Sequence, residues 1–173
     1  FLAGGTNIWL HHAADTARYA VRSELEAISG QDWRSDAWQL LPAARVDVTG
    51  EREEPFVLQW AGDLPALEGR LSAGGWHRPS PWTLASGLNW LSAQADIKSL
   101  PSVPRLDRGT LPSLVLVKEQ PGQASSRLVL SAWRSDADIV DGQTSPLWLV
   151  SVVEERSKAI AFGMGYLVAN DGS

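Results

Sequence analysis

The chain has 173 residues, 44% of them hydrophobic, with a formal net charge of -5 and no cysteine. That length suits one domain with a single core. The acidic balance argues against a nucleic-acid partner and against a polybasic lipid anchor, because both need clustered positive charge. Without cysteine there are no disulfides and no thiolate chemistry. No apolar run reaches the ~18–20 residues that span a bilayer, and the start at Phe1 predicts a fragment or a processed form.

Residues 1–30 are predicted to form one amphipathic helix. Apolar residues recur along it at intervals of three or four: Leu10, Ala14, Ala17, Val21, Leu25 and Ile28. This spacing places a single apolar stripe on one helix face. The pair Ser29–Gly30 is expected to end the helix. The stripe can pack on the sheet of the same domain, which we favour, or on a membrane segment outside this chain.

The next stretch is predicted to form a lead-in, a hairpin and a helix. Residues 31–40 are expected to be irregular, and two strands with alternating apolar residues follow, around Val46–Val48 and Phe56–Trp60. Residues 50–55 would close them as an antiparallel hairpin. Asp63 has the side chain of an N-cap, and the helix that it begins would end at Gly74 and Gly75. The buried stripe of this helix is predicted to be Leu64, Leu67 and Leu71.

The remainder is predicted to hold one more helix and then strands. Residues 80–91 would form the helix, with Ser80 as cap, and residues 93–112 contain too many prolines for regular structure. Strands are expected over 114–117, 128–133, 147–153 and 159–168, with turns at Pro121–Gly122 and Asp141–Gly142. The predicted fold class is therefore α+β, a mostly antiparallel sheet with two or three helices packed on one face.

Six sequence blocks together resemble the LssY C-terminal domain family. They are LPxxRxD at 41–47, LQWAGxLPAL at 58–67, GW at 75–76, LPSVPRL at 100–106, RLVLSAWRS at 127–135 and PLWLVSVVEE at 146–155. The resemblance covers roughly residues 38–155. Together with the chain length and the helical spacing, it predicts one domain over residues 1–173, with the helix at 1–30 and the core at 38–168. It also implies a bacterial inner-membrane context, behind membrane segments of the DedA or PAP2 type. It brings no catalytic residues, no cofactor and no established activity.

The chain lacks the catalytic motifs that we searched for. PAP2 phosphatase chemistry needs a Lys and an Arg-Pro pair, a Ser-Gly-His block and a later Arg…His pair. This chain has only His77–Arg78–Pro79 and no Ser-Gly-His. There is no G-x-S-x-G elbow, P-loop or dinucleotide-binding loop. The adjacent His11 and His12 would point in different directions on a helix, so no metal site is predicted. We therefore predict no catalytic residue and no cofactor.

One set of polar residues is a candidate binding site for an anion or another ligand. Its members are Arg45, Asp47, Gln59, Arg105, Arg127 and Arg134. Three of them would share one face of the first hairpin, and guanidinium groups bind carboxylate or phosphate bidentately. The alternative is a lattice of surface ion pairs, in which the arginines are matched by carboxylates such as Asp47.

The nine tryptophans are the second unusual feature. Those inside strand patterns are expected in the core: Trp60, Trp133 and Trp148. Others flank loops and helix ends, where an indole can stack on a ligand, lie at a membrane interface or simply pack: Trp33, Trp38, Trp76, Trp82 and Trp90.

Three functions are compatible with these observations. The first is a non-catalytic accessory domain, used for interaction or ligand sensing by a bacterial inner-membrane protein. The alternative is an enzyme that acts on an anionic or phosphorylated lipid head group through the arginine and aspartate face. A third option is a purely structural domain that dimerises its membrane partner through the N-terminal stripe. The chain is also expected to be able to form a homo-oligomer. The cytoplasmic face of the membrane is favoured over the periplasm, and an upstream membrane domain is the expected partner.

Overall fold

The computed structural model describes residues 26–83, 96–123, 125–160 and 164–170. Within them, seven strands form one sheet: β1 (Glu26–Ser29), β2 (Ala44–Val46), β3 (Arg52–Ala61), β4 (Leu114–Glu119), β5 (Ser126–Asp141), β6 (Gln143–Ile160) and β7 (Met164–Asn170). There are two α-helices, α1 (Gly30–Ser35) and α2 (Leu64–Ser72). Two 3-10 helices cover Ala37–Leu40 and Ile97–Ser99.

The long hairpin of β5 and β6 is the centre of the sheet. Its two strands pair from Ser126 opposite Arg156 to Asp141 opposite Gln143, with an irregularity between Arg134 and Asp138. The outer edge of β5 carries β4 in its first half and β1 in its second half. The outer edge of β6 carries β3 and β7, and β2 lies beyond β3. Because β1 runs parallel to β5 and the other pairs are antiparallel, the sheet is mixed.

Helix α2 covers one side of this sheet, which we call the helix face. The Asp63 carboxylate accepts a hydrogen bond from the Ala66 N–H at 2.7 Å, as an N-cap should. Gly75, just beyond the helix, has a φ of +86°, which glycine adopts without steric cost. Leu67 packs on a buried cluster of the sheet: Leu114, Leu116, Leu130, Ala132 and Val150. The predicted cap, stripe and glycine stop of α2 are confirmed.

The opposite side of the sheet is covered by residues 96–112, which we call the strap, and by α1. This strap face contains alternate residues of β5 and β6, among them Val129, Trp133 and Val153. The Trp133 indole N–H donates to the Thr110 carbonyl of the strap at 3.1 Å, and its ring meets Phe56 edge-on. The strap is irregular apart from one 3-10 turn, as its prolines predicted, but several of its residues are buried.

The predicted α+β class is wrong. The structure is mostly β, one curled mixed sheet, and its two described helices lie on opposite faces. Leu67 of α2 packs near Val150, whereas Trp33 of α1 packs near Leu147. Residues 147 and 150 are three apart on a strand and therefore point to opposite sides of the sheet.

The N-terminal prediction also needs correction where the structure describes it. Ile28, the last residue of the predicted helical stripe, is in β1 opposite Ile139. Ser29 begins a helix instead of ending one, because its hydroxyl accepts from the Asp32 N–H at 3.0 Å as the N-cap of α1. The lead-in predicted to be irregular is thus α1 and a 3-10 turn. Residues 1–25 lie outside the described residues.

The strand predictions are confirmed in place but not in length. The first hairpin closes through residues 47–51, so the predicted loop over 50–55 was too late in the chain. β5 and β6 are far longer than the apolar runs that predicted them, and β7 begins at Met164. Trp133 is buried, while Trp60 and Trp148 are partly buried. Residues 80–83 are not helical, and the rest of the helix predicted there lies outside the described part of the chain.

Candidate functional site

Arg127, a candidate ligand-binding residue, is fully buried beneath the strap together with Glu155. Its Nε and Nη2 atoms donate to Glu155 Oε2 at 3.0 and 2.8 Å. The other three N–H groups donate to strap carbonyls, those of Ile97, Leu100 and Pro101. The remaining oxygen of Glu155 accepts from the strap residues Ser102 and Val103. Both ions are thus completely hydrogen-bonded, and the pair holds the strap on the sheet.

Arg45 and Arg105 converge on a second buried carboxylate, that of Glu54. Arg45 Nε lies 2.8 Å and Arg105 Nη1 3.0 Å from Glu54 Oε1. Arg45 also donates to the Leu106 carbonyl of the strap. This second network therefore joins β2, β3 and the strap. Glu54 Oε2 is buried and has no hydrogen-bond partner among the described residues.

The charges of this network stabilise one another. Burial by itself would raise the pKa of Glu54, but the hydrogen bond from Arg45 and the charge of Arg105 lower it below its ordinary value. Burial would likewise lower the pKa of Arg45, yet the hydrogen bond and charge of Glu54 raise it. Glu54 and Arg45 therefore each favour the charged form of the other.

Asp47 and Arg134 have local partners. Asp47 Oδ1 accepts from the N–H groups of Thr49 and Glu51 at 2.8 and 2.9 Å, which organises the turn between β2 and β3. The hydroxyl of Thr49, and then these backbone bonds, lower the pKa of Asp47. Arg134 lies at the irregularity of β5 and donates to the carboxylate of Asp138. Its Nη1 also donates to three carbonyls, those of Ser135, Ala137 and Leu147.

Of the six candidate residues, the structure thus brings only Arg45 and Arg105 to one centre. Their carboxylate, Glu54, was missed in the sequence, and so was Glu155. A signal for both exists, because residues two apart on a strand share a face. Glu155 follows Val153 at that spacing, and Glu54 precedes Phe56 at that spacing. A charged residue two positions from a core residue on the same strand therefore predicts a buried ion pair.

Gln59, the sixth candidate, belongs to a solvent-open groove beside β3. The groove has a volume of ≈ 340 Å³ and is lined by Trp33, Arg34, Trp38, Phe56, Val57, Leu58 and Gln59. Trp38 is 49% exposed and Leu58 40% exposed. The Gln59 amide joins the two walls: its Oε1 accepts from the Trp33 indole N–H at 2.7 Å, and its Nε2 donates to the Trp38 carbonyl at 2.9 Å.

The position of this groove at a sheet edge explains its exposure. β2 pairs with β3 only as far as Pro55, and the Phe56 N–H then donates to the Ala43 carbonyl. Beyond that point β3 pairs with β6 alone. α1 and the following 3-10 turn approach this edge from the strap face and bring Trp33 and Trp38 to it. The sequence placed these tryptophans beside loops and helix ends, with stacking on a ligand, a membrane interface or packing as the alternatives, but did not show which strand they would contact.

Two further properties bear on function. Within the described residues, no group of three or more histidine, aspartate or glutamate side chains could hold a metal ion. No helix in this same part of the chain is long and apolar enough to cross a membrane.

Comparison with known proteins assigns a family. The family model described as LssY C-terminus matches residues 38–165, which is most of the chain. The chain therefore belongs to this family. No curated protein and no solved structure matches the chain.

Proposed function

We propose that this member of the LssY C-terminus family is a non-catalytic accessory domain that senses a ligand for a bacterial inner-membrane protein. The groove beside β3 is the observation that carries the proposal. It is open to solvent and has the aromatic lining and few polar groups typical of ligand sites. The four candidate arginines, in contrast, already donate to buried carboxylates or backbone carbonyls.

The membrane context of the proposal rests on the family resemblance. Membrane segments of the DedA or PAP2 type would precede the domain in the whole protein, and the domain would lie on the cytoplasmic face, with the periplasm as the alternative. A ligand taken up by the groove would then report to the membrane segments through β1 and α1, the first elements in the described part of the chain.

A neutral solvatochromic dye such as Nile red tests whether the groove binds ligands. We expect saturable, blue-shifted fluorescence with the purified chain, and its loss in Leu58→Asp. Leu111→Asp is the matched control, because Leu111 is 60% exposed and lies outside the groove. Equal loss in both variants, or no dye binding by the unmodified chain, would contradict a ligand-binding groove.

The enzyme alternative is tested with the same preparation. We expect no hydrolysis of generic phosphomonoesters or of anionic phospholipids, because Arg45, Arg105 and Arg127 are held in buried ion pairs. The fourth candidate, Arg134, already donates to Asp138 and to backbone carbonyls. Turnover that is lost in Arg45→Lys would overturn the non-catalytic proposal and favour an enzyme that acts on lipid head groups.

A further inference from the structure

We propose that the groove binds a single-chain amphiphile with an anionic head group, the chain along the aromatic walls and the head at Arg34. This inference rests on the proposed function and names the ligand class of its site. Three observations support it: the size and lining of the groove, the fixed position of its walls, and the charge at its rim.

The size of the groove favours one hydrocarbon chain. Its volume of ≈ 340 Å³ is near the lower end of the ~300–1,000 Å³ found for small-molecule sites. The lining is apolar apart from Arg34 and Gln59. Burying a chain against Trp38 and Leu58 would remove exposed apolar surface on both partners, which is the main source of affinity for such ligands.

The walls of the groove are fixed before a ligand arrives. Gln59 uses its amide oxygen on the Trp33 indole and its amide nitrogen on the Trp38 carbonyl. The amide therefore holds the two tryptophan-bearing segments of α1 and the 3-10 turn against β3. Preorganised walls reduce the ordering cost of binding. Because both polar atoms of the Gln59 amide are already hydrogen-bonded, the groove surface that a hydrocarbon chain would contact is largely apolar.

Arg34 is the one charged residue in the lining of the groove. Its Nη2 lies 3.0 Å from Asp141 Oδ2, and both side chains are more than half exposed. Such an exposed pair is worth only ~0–1 kcal/mol. A carboxylate or phosphate head group can therefore compete with Asp141 for this guanidinium, whereas Arg127 and Arg45 are held by buried partners. The groove thus offers an apolar lining and one guanidinium group, that of Arg34, for which an anionic head group can compete.

Isothermal titration calorimetry with three probes tests the two parts of the site, the aromatic walls and Arg34. Dodecyl phosphate and dodecyl maltoside, both below their micelle concentrations, share a chain and differ in charge, and inorganic phosphate supplies the head alone. We expect one dodecyl phosphate per chain, binding of dodecyl maltoside that is about tenfold weaker (~1.4 kcal/mol), and no measurable binding of inorganic phosphate.

Variants of the Arg34–Asp141 pair separate ligand binding from a structural role. Arg34→Gln should lower the affinity for dodecyl phosphate about tenfold and leave dodecyl maltoside unchanged. Asp141→Asn breaks the same ion pair but frees Arg34, so it should strengthen dodecyl phosphate binding. If the pair were only structural, the two variants would change binding in the same direction, and the inference would be wrong.

A second set of variants tests the chain site. Trp38→Ala should weaken both dodecyl probes, while Trp82→Ala, at a tryptophan that is 53% exposed outside the groove, should weaken neither. Equal affinity for the two dodecyl probes would overturn the anionic head group, and Nile red binding without dodecyl phosphate binding would overturn the ligand class. Either result would leave the groove as a ligand site. Association with anionic vesicles but not with monomeric dodecyl phosphate would also overturn the inference.

Discussion

Arg127 and Glu155 show how this sheet keeps charges in its interior. Each ion is fully buried, and every hydrogen-bonding position of the guanidinium is used. Such a pair adds little compared with well-packed apolar residues, but removing one partner leaves a charge without compensation. Its strap contacts give it a second role, because they attach residues 97–103 to the sheet.

Glu155→Gln should therefore lower the free energy of unfolding by about 3–5 kcal/mol. Chemical denaturation measures this change. Arg127→Met combined with Glu155→Leu removes both charges but leaves the strap groups that they bind without partners, so it should recover only part of the loss. Arg156→Gln, at an exposed residue paired with Glu154, is the control and should change stability little. A small effect of Glu155→Gln would mean that water reaches the pair.

Glu54 should make stability depend on pH. The pKa of Glu54 in the folded protein is below its ordinary value. The folded state therefore binds the Glu54 proton less tightly than the unfolded chain does. The stabilisation is present above the unfolded pKa of about 4.3 and is lost as the pH falls through the lower folded value. Urea denaturation of the protein and of Glu54→Gln should show a stability difference at neutral pH that shrinks below about pH 4. A difference that grows on acidification would contradict the assignment.

Among the elements, α2 shows how local signals and packing agree. A carboxylate cap, an apolar stripe and a following glycine define its ends, and Leu67 places it on the sheet. Leu67 is only 3% exposed and belongs to a buried cluster with residues of three strands. The helix is short, so its stability depends on this tertiary contact more than on helix propensity.

Leu67→Ala should cost about 2–5 kcal/mol of unfolding free energy, the usual range for truncating a buried leucine. Leu40→Ala is the matched control, because Leu40 is 87% exposed. Reversible denaturation measures both. A loss of less than ~0.5 kcal/mol at Leu67 would show that the helix does not depend on this contact.

The same glycine-to-alanine change should have opposite effects in α2 and at the tip of the β5–β6 hairpin. A Cβ added at Gly69 or Gly142 would meet no atom within 4 Å, so only the backbone decides. Gly69 is in a helix, where alanine is better by about 0.5–1 kcal/mol. Gly142 has a φ of +75°, where a Cβ costs about 1–2 kcal/mol. Gly69→Ala should raise the melting temperature and Gly142→Ala should lower it.

At the scale of the whole molecule, β5 and β6 make the two faces of the sheet depend on each other. α2 packs on one side of this hairpin, and the strap and α1 pack on the other. If either α2 or the strap detached from the sheet, β5 and β6 would be exposed to solvent. This arrangement favours a single cooperative transition across the described residues.

Thermal unfolding should therefore give one transition temperature by far-ultraviolet circular dichroism and by tryptophan fluorescence. Glu155→Gln, which acts on the strap face, should lower both by the same amount. If the fluorescence change preceded the loss of secondary structure in this variant, the strap would unfold separately and the two faces would not be coupled.

The sequence by itself determined the local features of this protein. The period-two alternation located the strands, and the cap, stripe and glycine stop defined α2, because neighbouring residues set these signals. The same reasoning failed for residues 26–29, where spacing by three and four suited a helix although β1 gains its pairing from β5, more than a hundred residues later. The pairing of a strand at a sheet edge depends on residues far away in the sequence, so the local spacing of apolar residues does not predict it.

Only the tertiary structure decided how the candidate site is arranged. Alternation shows which face a side chain takes, but not which strand or loop lies opposite it. The partners of Arg45, Arg105 and Arg127 are therefore set by strand order and by the path of the strap, which bring Glu54 and Glu155 to them. The groove arises in the same way, since residues 33–38 and 56–59 meet only because α1 crosses the strap face to the free edge of β3.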